Sequence, residues 1–162
     1  MVKNIFYFLA NYFNRLYIIL SVLAVFLGGI IYILLRPYEP VFFDWISKLG
    51  MDNWVSPARQ NSLYFTHLFP KWFIYSFPSF LWAFAYSILI TGIWWQSKSP
   101  LKYFWFSTIP FLIIGWEVFQ LMVLLPGTFS PGDIIMGVIG ILAGIFIGIK
   151  LTKLKYHEKE IV

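Results

Sequence analysis

From Leu16 to Leu35 the chain reads LYIILSVLAVFLGGIIYILL, with no charged side chain in it. As an α-helix such a run is about 30 Å long, which matches the hydrocarbon core of a bilayer. Arg15 and Arg36 bracket it, and Arg36-Pro37 ends it, because proline cannot continue the helical hydrogen bonding. Three further apolar runs follow at residues 78–95, 102–125 and 133–149. Only 12% of the 162 residues are charged and 60% are hydrophobic; a soluble domain carries about 25% charge. The pattern predicts an all-α membrane protein of one domain, a four-helix transmembrane bundle. Aromatic residues make up 22% and crowd the ends of the runs, where amphipathic rings favour the headgroup zone.

The connecting segments are unequal. Residues 1–15 read as an amphipathic interfacial helix: Lys3, Asn4, Tyr7, Asn11, Asn14 and Arg15 fall on one face, opposite Ile5, Phe6, Leu9, Tyr12 and Phe13. The same stretch is also compatible with a helix that runs straight on into the first span. The first apolar run is too long for a signal-peptide core, and no small-x-small site follows it, so it reads as a retained anchor. Residues 36–77 form a long external loop. Within it VFFDWISKLG has helical spacing and ends at Gly50, where a C-cap belongs; this predicts a short surface helix. Pro70 and Pro78 break the aromatic stretch that follows. PGTFSPG, residues 126–132, is a turn, and residues 150–162 form a basic tail.

Basic residues orient such a protein. Lys3, Arg15, Lys98, Lys102, Lys150, Lys153, Lys155 and Lys159 make eight on the side of the termini, against four in the long first loop. The excess predicts cytoplasmic N- and C-termini, with the long loop and the PGTFSPG turn outside. The net charge of +5 therefore belongs to segment ends and headgroup contacts, not to nucleic-acid binding. With no cysteine and two histidines, neither a disulfide nor a convincing metal cluster can be assembled, and no cofactor motif is present.

Against this background Glu117 and Gln120 stand out inside the third run, and Asp133 at the mouth of the fourth. Glu117 and Gln120 are three apart and share a helix face. An acid near the centre of a span costs about 2.5–3.5 kcal/mol, so Glu117 must face protein or water, or be protonated. Gly137, Gly140, Gly144 and Gly148 share a face with Asp133, and small residues at that spacing let helices pack closely in lipid. The short turn predicts that this face meets the third helix. Two arrangements account for the polar residues. Glu117, Gln120, Thr128 and Asp133 either staple the third and fourth helices, with Asp133 capping the fourth, or form an outward-open pocket for a headgroup, cation or proton. A hydrolytic site ranks third, since no catalytic motif accompanies them. Ser87 and Thr91 are expected to hydrogen-bond within the second span or to a neighbour. Arg59 and Lys71 are candidates for anionic headgroups, and His67 reads as an interfacial residue without a partner.

The second half, about residues 76–150, resembles the VanZ-like membrane family. The residues that carry the resemblance are Glu117 and Gln120, the Pro126-Gly127 turn, Asp133, and Gly140 and Gly144 seven and eleven positions later. Trp116 stands where members often have a second acid, Thr128 where they often have a turn arginine, and Gly137 where they often have asparagine. The resemblance implies a divergent four-span protein of the bacterial inner membrane. The expected role is to bind or shield an amphiphile or cell-envelope component, with membrane lipids as partners. The alternative is a small transport or membrane-complex assembly subunit that uses Glu117 and Asp133 for a proton or cation. A homo-oligomer is compatible with the aromatic, glycine-striped surface.

Overall fold

The first apolar run belongs to a longer helix, α1, Val2–Leu35. The computed structural model describes residues 2–37, 48–125 and 127–160, with side-chain surroundings for 16–37, 48–51, 53–125 and 127–153. After α1 come α2 (Asp52–Leu63), a 3-10 turn (Thr66–Leu68), α3 (Lys71–Tyr75), α4 (Phe77–Trp94), α5 (Leu101–Leu121) and α6 (Pro131–Glu160). No strand occurs among the described residues. Four stretches are long and apolar enough to cross a membrane: Leu16–Leu35, Phe77–Trp94, Leu101–Leu121 and Pro131–Lys153.

Several boundaries differ from those expected. The amphipathic residues 3–14 continue into the first span within one helix, and their side-chain surroundings lie outside the description. The surface helix expected in VFFDWISKLG lies outside the described residues except for its end, where Gly50 has φ +70°, the left-handed conformation of a C-cap glycine. Helix α2 was not anticipated. The third span stops at Leu121, not at Leu125, because Val123 turns left-handed with φ +59°. There Val123 N–H donates to Gln120 O (3.0 Å) and Leu124 N–H to Phe119 O (2.9 Å), the paired bonds of a Schellman motif. At the other end of the chain the basic tail expected from residue 150 is helical as far as Glu160.

Helix α4 is central and touches the other three spans. Its packing with α6 is the most extensive in the protein and rests on two facing rows of small residues. A Cβ on Gly140 would collide with the Phe80 carbonyl oxygen and lie 3.0 Å from Ala83; one on Gly144 would meet the Phe84 carbonyl and Ser87; one on Gly148 would meet Thr91. The contacts advance in step along both chains, so α4 and α6 run parallel. This corrects the expectation that the stripe faces the third span. Only Gly137 does so, against Ile113. The connection over 122–130 is long enough for α6 to roll onto α4, whose Ala83, Ser87 and Thr91 supply the complementary groove. Ser87 and Thr91 serve this packing and are fully buried, with hydroxyls that find no hydrogen-bond partner, contrary to expectation.

Helix α1 lies on another face of α4. Ala24, Leu81 and Ala85 form a small core there, Gly28 sits under the Trp82 ring, and Tyr17 covers Gly92. Helix α5 is joined to α4 by the Tyr86 and Thr108 hydroxyls, 2.7 Å apart, and by stacking of Trp94 on Trp105 at 6.0 Å.

Gly140→Ala forces a methyl against a backbone carbonyl that has no room to yield. We expect it to lower the stability of the purified protein by roughly 1–3 kcal/mol. Gly29→Ala, where nothing lies within 4 Å, is expected to be neutral or slightly stabilising. Thermal unfolding in detergent compares the two, and equal midpoints would remove the seam from its central place in the packing.

Candidate functional site

Because α4 and α6 are parallel and in register, their N-terminal ends meet. Gly132, in the first turn of α6, lies against the Ser76 hydroxyl at the head of α4. The C-terminal end of α5 arrives at the same place, and so does Arg36 at the end of α1. Four helices thus contribute polar groups to one end of the protein.

Glu117 is turned into the protein and only 8% exposed. Its Oε2 accepts a hydrogen bond from the Ser130 backbone N–H at 3.0 Å. Ser130 is the cap of α6: its hydroxyl lies 3.4 Å from the Asp133 N–H, and its carbonyl accepts from the same N–H at 3.1 Å. The sequence S-x-x-D is a capping-box pattern, in which the acid ordinarily reaches back to the N–H of the capping residue. Here Glu117, from another helix, takes that N–H. The Asp133 carboxylate is displaced from it, and its Oδ1 is buried with no hydrogen-bond partner. The expectation that Asp133 caps the fourth helix is corrected accordingly: Ser130 does so, and Asp133 sits in the first turn.

Gln120 extends along the same face of α5 and reaches under Gly127. Gly127 has φ +126°, and a Cβ there would collide with the Gln120 side-chain nitrogen, so glycine is required for this close approach. Thr128 does not join the cluster. It is exposed in the turn and makes no hydrogen bond among the described residues. Ser130 holds the position that had been expected for it.

Two arginines were not anticipated here. Arg36 Nη2 donates to the Tyr75 carbonyl at 2.7 Å, and its guanidinium lies 4.2 Å from the centre of the Tyr32 ring. Both Arg36 and Asp133 are within electrostatic reach of the Glu117 carboxylate. Arg36 Nε is buried without a partner. Arg59 was expected to face headgroups and is instead 6% exposed. It donates to the carbonyls of Ile33 (2.5 Å), Arg36 (2.8 Å) and Pro37 (3.4 Å), and so closes the C-terminal end of α1. Lys71 is exposed. His67 is exposed too, but its Nδ1 donates to the Tyr64 carbonyl at 2.7 Å, so it does have a partner. No group of histidine, aspartate and glutamate that could hold a metal ion is present among the described residues.

Chemically the cluster is amphoteric. It offers two carboxylates, a guanidinium, an amide and two serine hydroxyls at the end of a membrane-spanning core. The fold and this cluster define an all-helical, multi-pass membrane protein with a polar site at one end of its spans. No protein-family model, curated protein or solved structure matches the chain.

Glu117→Ala leaves the buried Ser130 N–H unpaired, and we expect a loss of roughly 1–3 kcal/mol in stability. Glu117→Gln retains an acceptor and is expected to cost less than half as much. Chemical or thermal unfolding of the two variants checks this; equal losses would show that charge, not the hydrogen bond, holds α5 to the α6 cap.

Proposed function

We propose that the protein is a divergent VanZ-like protein of the bacterial inner membrane, with both termini cytoplasmic. Its outward-facing polar site, Glu117, Gln120 and Asp133, binds or shields an amphiphile or cell-envelope component. The observation that carries this reading is the Asp133 Oδ1 atom, buried beside Glu117 with no partner of its own. An unpaired buried acceptor costs about 1–3 kcal/mol, and a carboxylate oxygen, unlike the neutral Ser87 and Thr91 hydroxyls of the packing seam, adds nothing to the staple to offset it. An acid kept there unsatisfied is a group available to a ligand. Of the residues that carry the family resemblance, Glu117, Gln120, Gly127 and Asp133 lie on or beside the same turn, which adds support, while Gly140 and Gly144 lie in the seam between α4 and α6.

The same unpartnered oxygen favours a second reading, a transport or assembly subunit in which Glu117 and Asp133 pass a proton or cation. The guanidinium of Arg36 weighs against it, since a cation entering the site meets like charge.

Two experiments test the proposal. Thr128 is exposed in the turn, so a single cysteine at Thr128→Cys should react with an impermeant maleimide on intact cells, and one at Lys155→Cys should not. The reverse pattern inverts the topology and turns the site to the cytoplasm. Separately, amphiphiles that co-purify with the wild-type protein are identified by mass spectrometry after extraction. Glu117→Gln should retain at least about fivefold less of a defined class while its folded yield is unchanged. Retention of the same lipids in the same amounts would refute a binding role for Glu117.

A further inference from the structure

The polar cluster contains opposite charges that do not pair with one another. Arg36 Nε and Asp133 Oδ1 are each buried, and neither has a hydrogen-bond partner. In a low-dielectric environment an acid and a guanidinium attract strongly and would close on each other if they were within reach. Both are held back from doing so. Arg36 is fixed by Tyr75 and by the Tyr32 ring, and Asp133 by its place in the first turn of α6. Ser76 belongs to the same end of the protein. It follows Tyr75 in sequence, its hydroxyl lies against Gly132, it is 6% exposed, and its side chain makes no hydrogen bond among the described residues. The cluster therefore presents a cation with one unpartnered N–H, an anion with one unpartnered oxygen and a neutral hydroxyl, all held by the surrounding helices.

Charge decides which ligand fits. A simple anion would satisfy Arg36 but approach Glu117 and Asp133 with like charge. A simple cation would satisfy the acids and be repelled by Arg36. A zwitterion meets both demands at once. We propose that this end of the protein binds a phosphate ester that carries an amine: Arg36 and Ser76 hold the phosphate oxygens, and Asp133, supported by Glu117, holds the ammonium. Guanidinium and hydroxyl donors suit phosphate, and a carboxylate suits an alkylammonium. The inference rests on the binding role proposed above and names its ligand class. The same chemistry occurs in a phospholipid headgroup and in free phosphoethanolamine, and the test separates them.

The full-length protein in detergent is titrated with phosphatidylethanolamine, phosphatidylglycerol and free phosphoethanolamine, and binding is read by native mass spectrometry. Phosphatidylethanolamine should bind at least about tenfold more tightly than phosphatidylglycerol. Asp133→Asn should abolish that preference, and Ser76→Ala should weaken both lipids without changing their ratio. Folding of each variant is checked by its unfolding midpoint, and the two substitutions act on opposite halves of the ligand, so loss of one variant leaves the other as a test. Binding of free phosphoethanolamine with the same dependence on Asp133 supports the proposal with a soluble source; binding confined to the lipid supports it with a membrane source. Equal binding of the two lipids, lost in Glu117→Gln, would overturn the zwitterion and leave the broader binding role standing. Absence of binding by all three, with no co-purifying amphiphile either, would overturn both.

Discussion

Backbone-to-backbone approach between α4 and α6 sets the geometry of everything else. Apolar side chains gain nothing by leaving lipid for one another, so helices in a membrane associate through close van der Waals packing. That requires small residues on both partners. Gly140, Gly144 and Gly148 on one side meet Ala83, Ser87 and Thr91 on the other, with carbonyls of α4 at the contact. Such a seam tolerates one register. A shift by one residue would bring larger side chains such as Ile141 and Phe84 into the gap. Once the register is fixed, Gly132 must fall on Ser76, and the cap of α6 is delivered to the head of α4.

The cap then becomes the junction with α5. A local capping box satisfies itself within one turn, and nothing about it ties two helices together. Replacing its own acid by Glu117 from α5 converts a local motif into a long-range one. The energetic balance is narrow. A charge-assisted hydrogen bond contributes about 1.5–3 kcal/mol. Placing the acid within a span costs a similar amount, about 2.5–3.5 kcal/mol at the centre and less toward an end. Glu117 therefore roughly offsets its own cost, whereas Asp133, with an unpaired oxygen, does not. A serine cap with an alanine at position 133 would join the helices as well.

Hydropathy made the four spans legible, because length and absence of charge are sufficient for that inference. Glu117, Gln120 and Asp133 were legible as exceptions to the same rule. What could not be read was the pairing of helices. The glycine stripe announces a close contact but carries no address; its partner is a groove on α4 whose Ser87 and Thr91 look in sequence like hydrogen-bonding residues. The end of α5 was hidden for a different reason. A Schellman turn normally declares itself by glycine, and here a β-branched valine takes the left-handed position. Ser130 is legible as the first residue of S-x-x-D before an apolar run, but the same pattern offers Asp133 as a cap equally well. Arg36 was read as the bracket of a span, since nothing in its neighbourhood indicates that it turns inward.

How Arg36 comes to face the cluster follows from Arg59. A helix ends with unsatisfied carbonyls and a negative dipole end, and a buried guanidinium is well suited to both. Arg59 takes three carbonyls at the end of α1, among them that of Arg36 itself. This bond holds the Arg36 backbone where the chain leaves the helix, and the side chain is then committed to the Tyr75 carbonyl and the Tyr32 ring. The apolar spans alone place the acids; helix α2, in the connection between the first two, fixes the cation beside them. The long first loop is therefore part of the site's architecture, because without its arginine the end of α1 would have open carbonyls and no fixed direction for the guanidinium that balances Glu117 and Asp133.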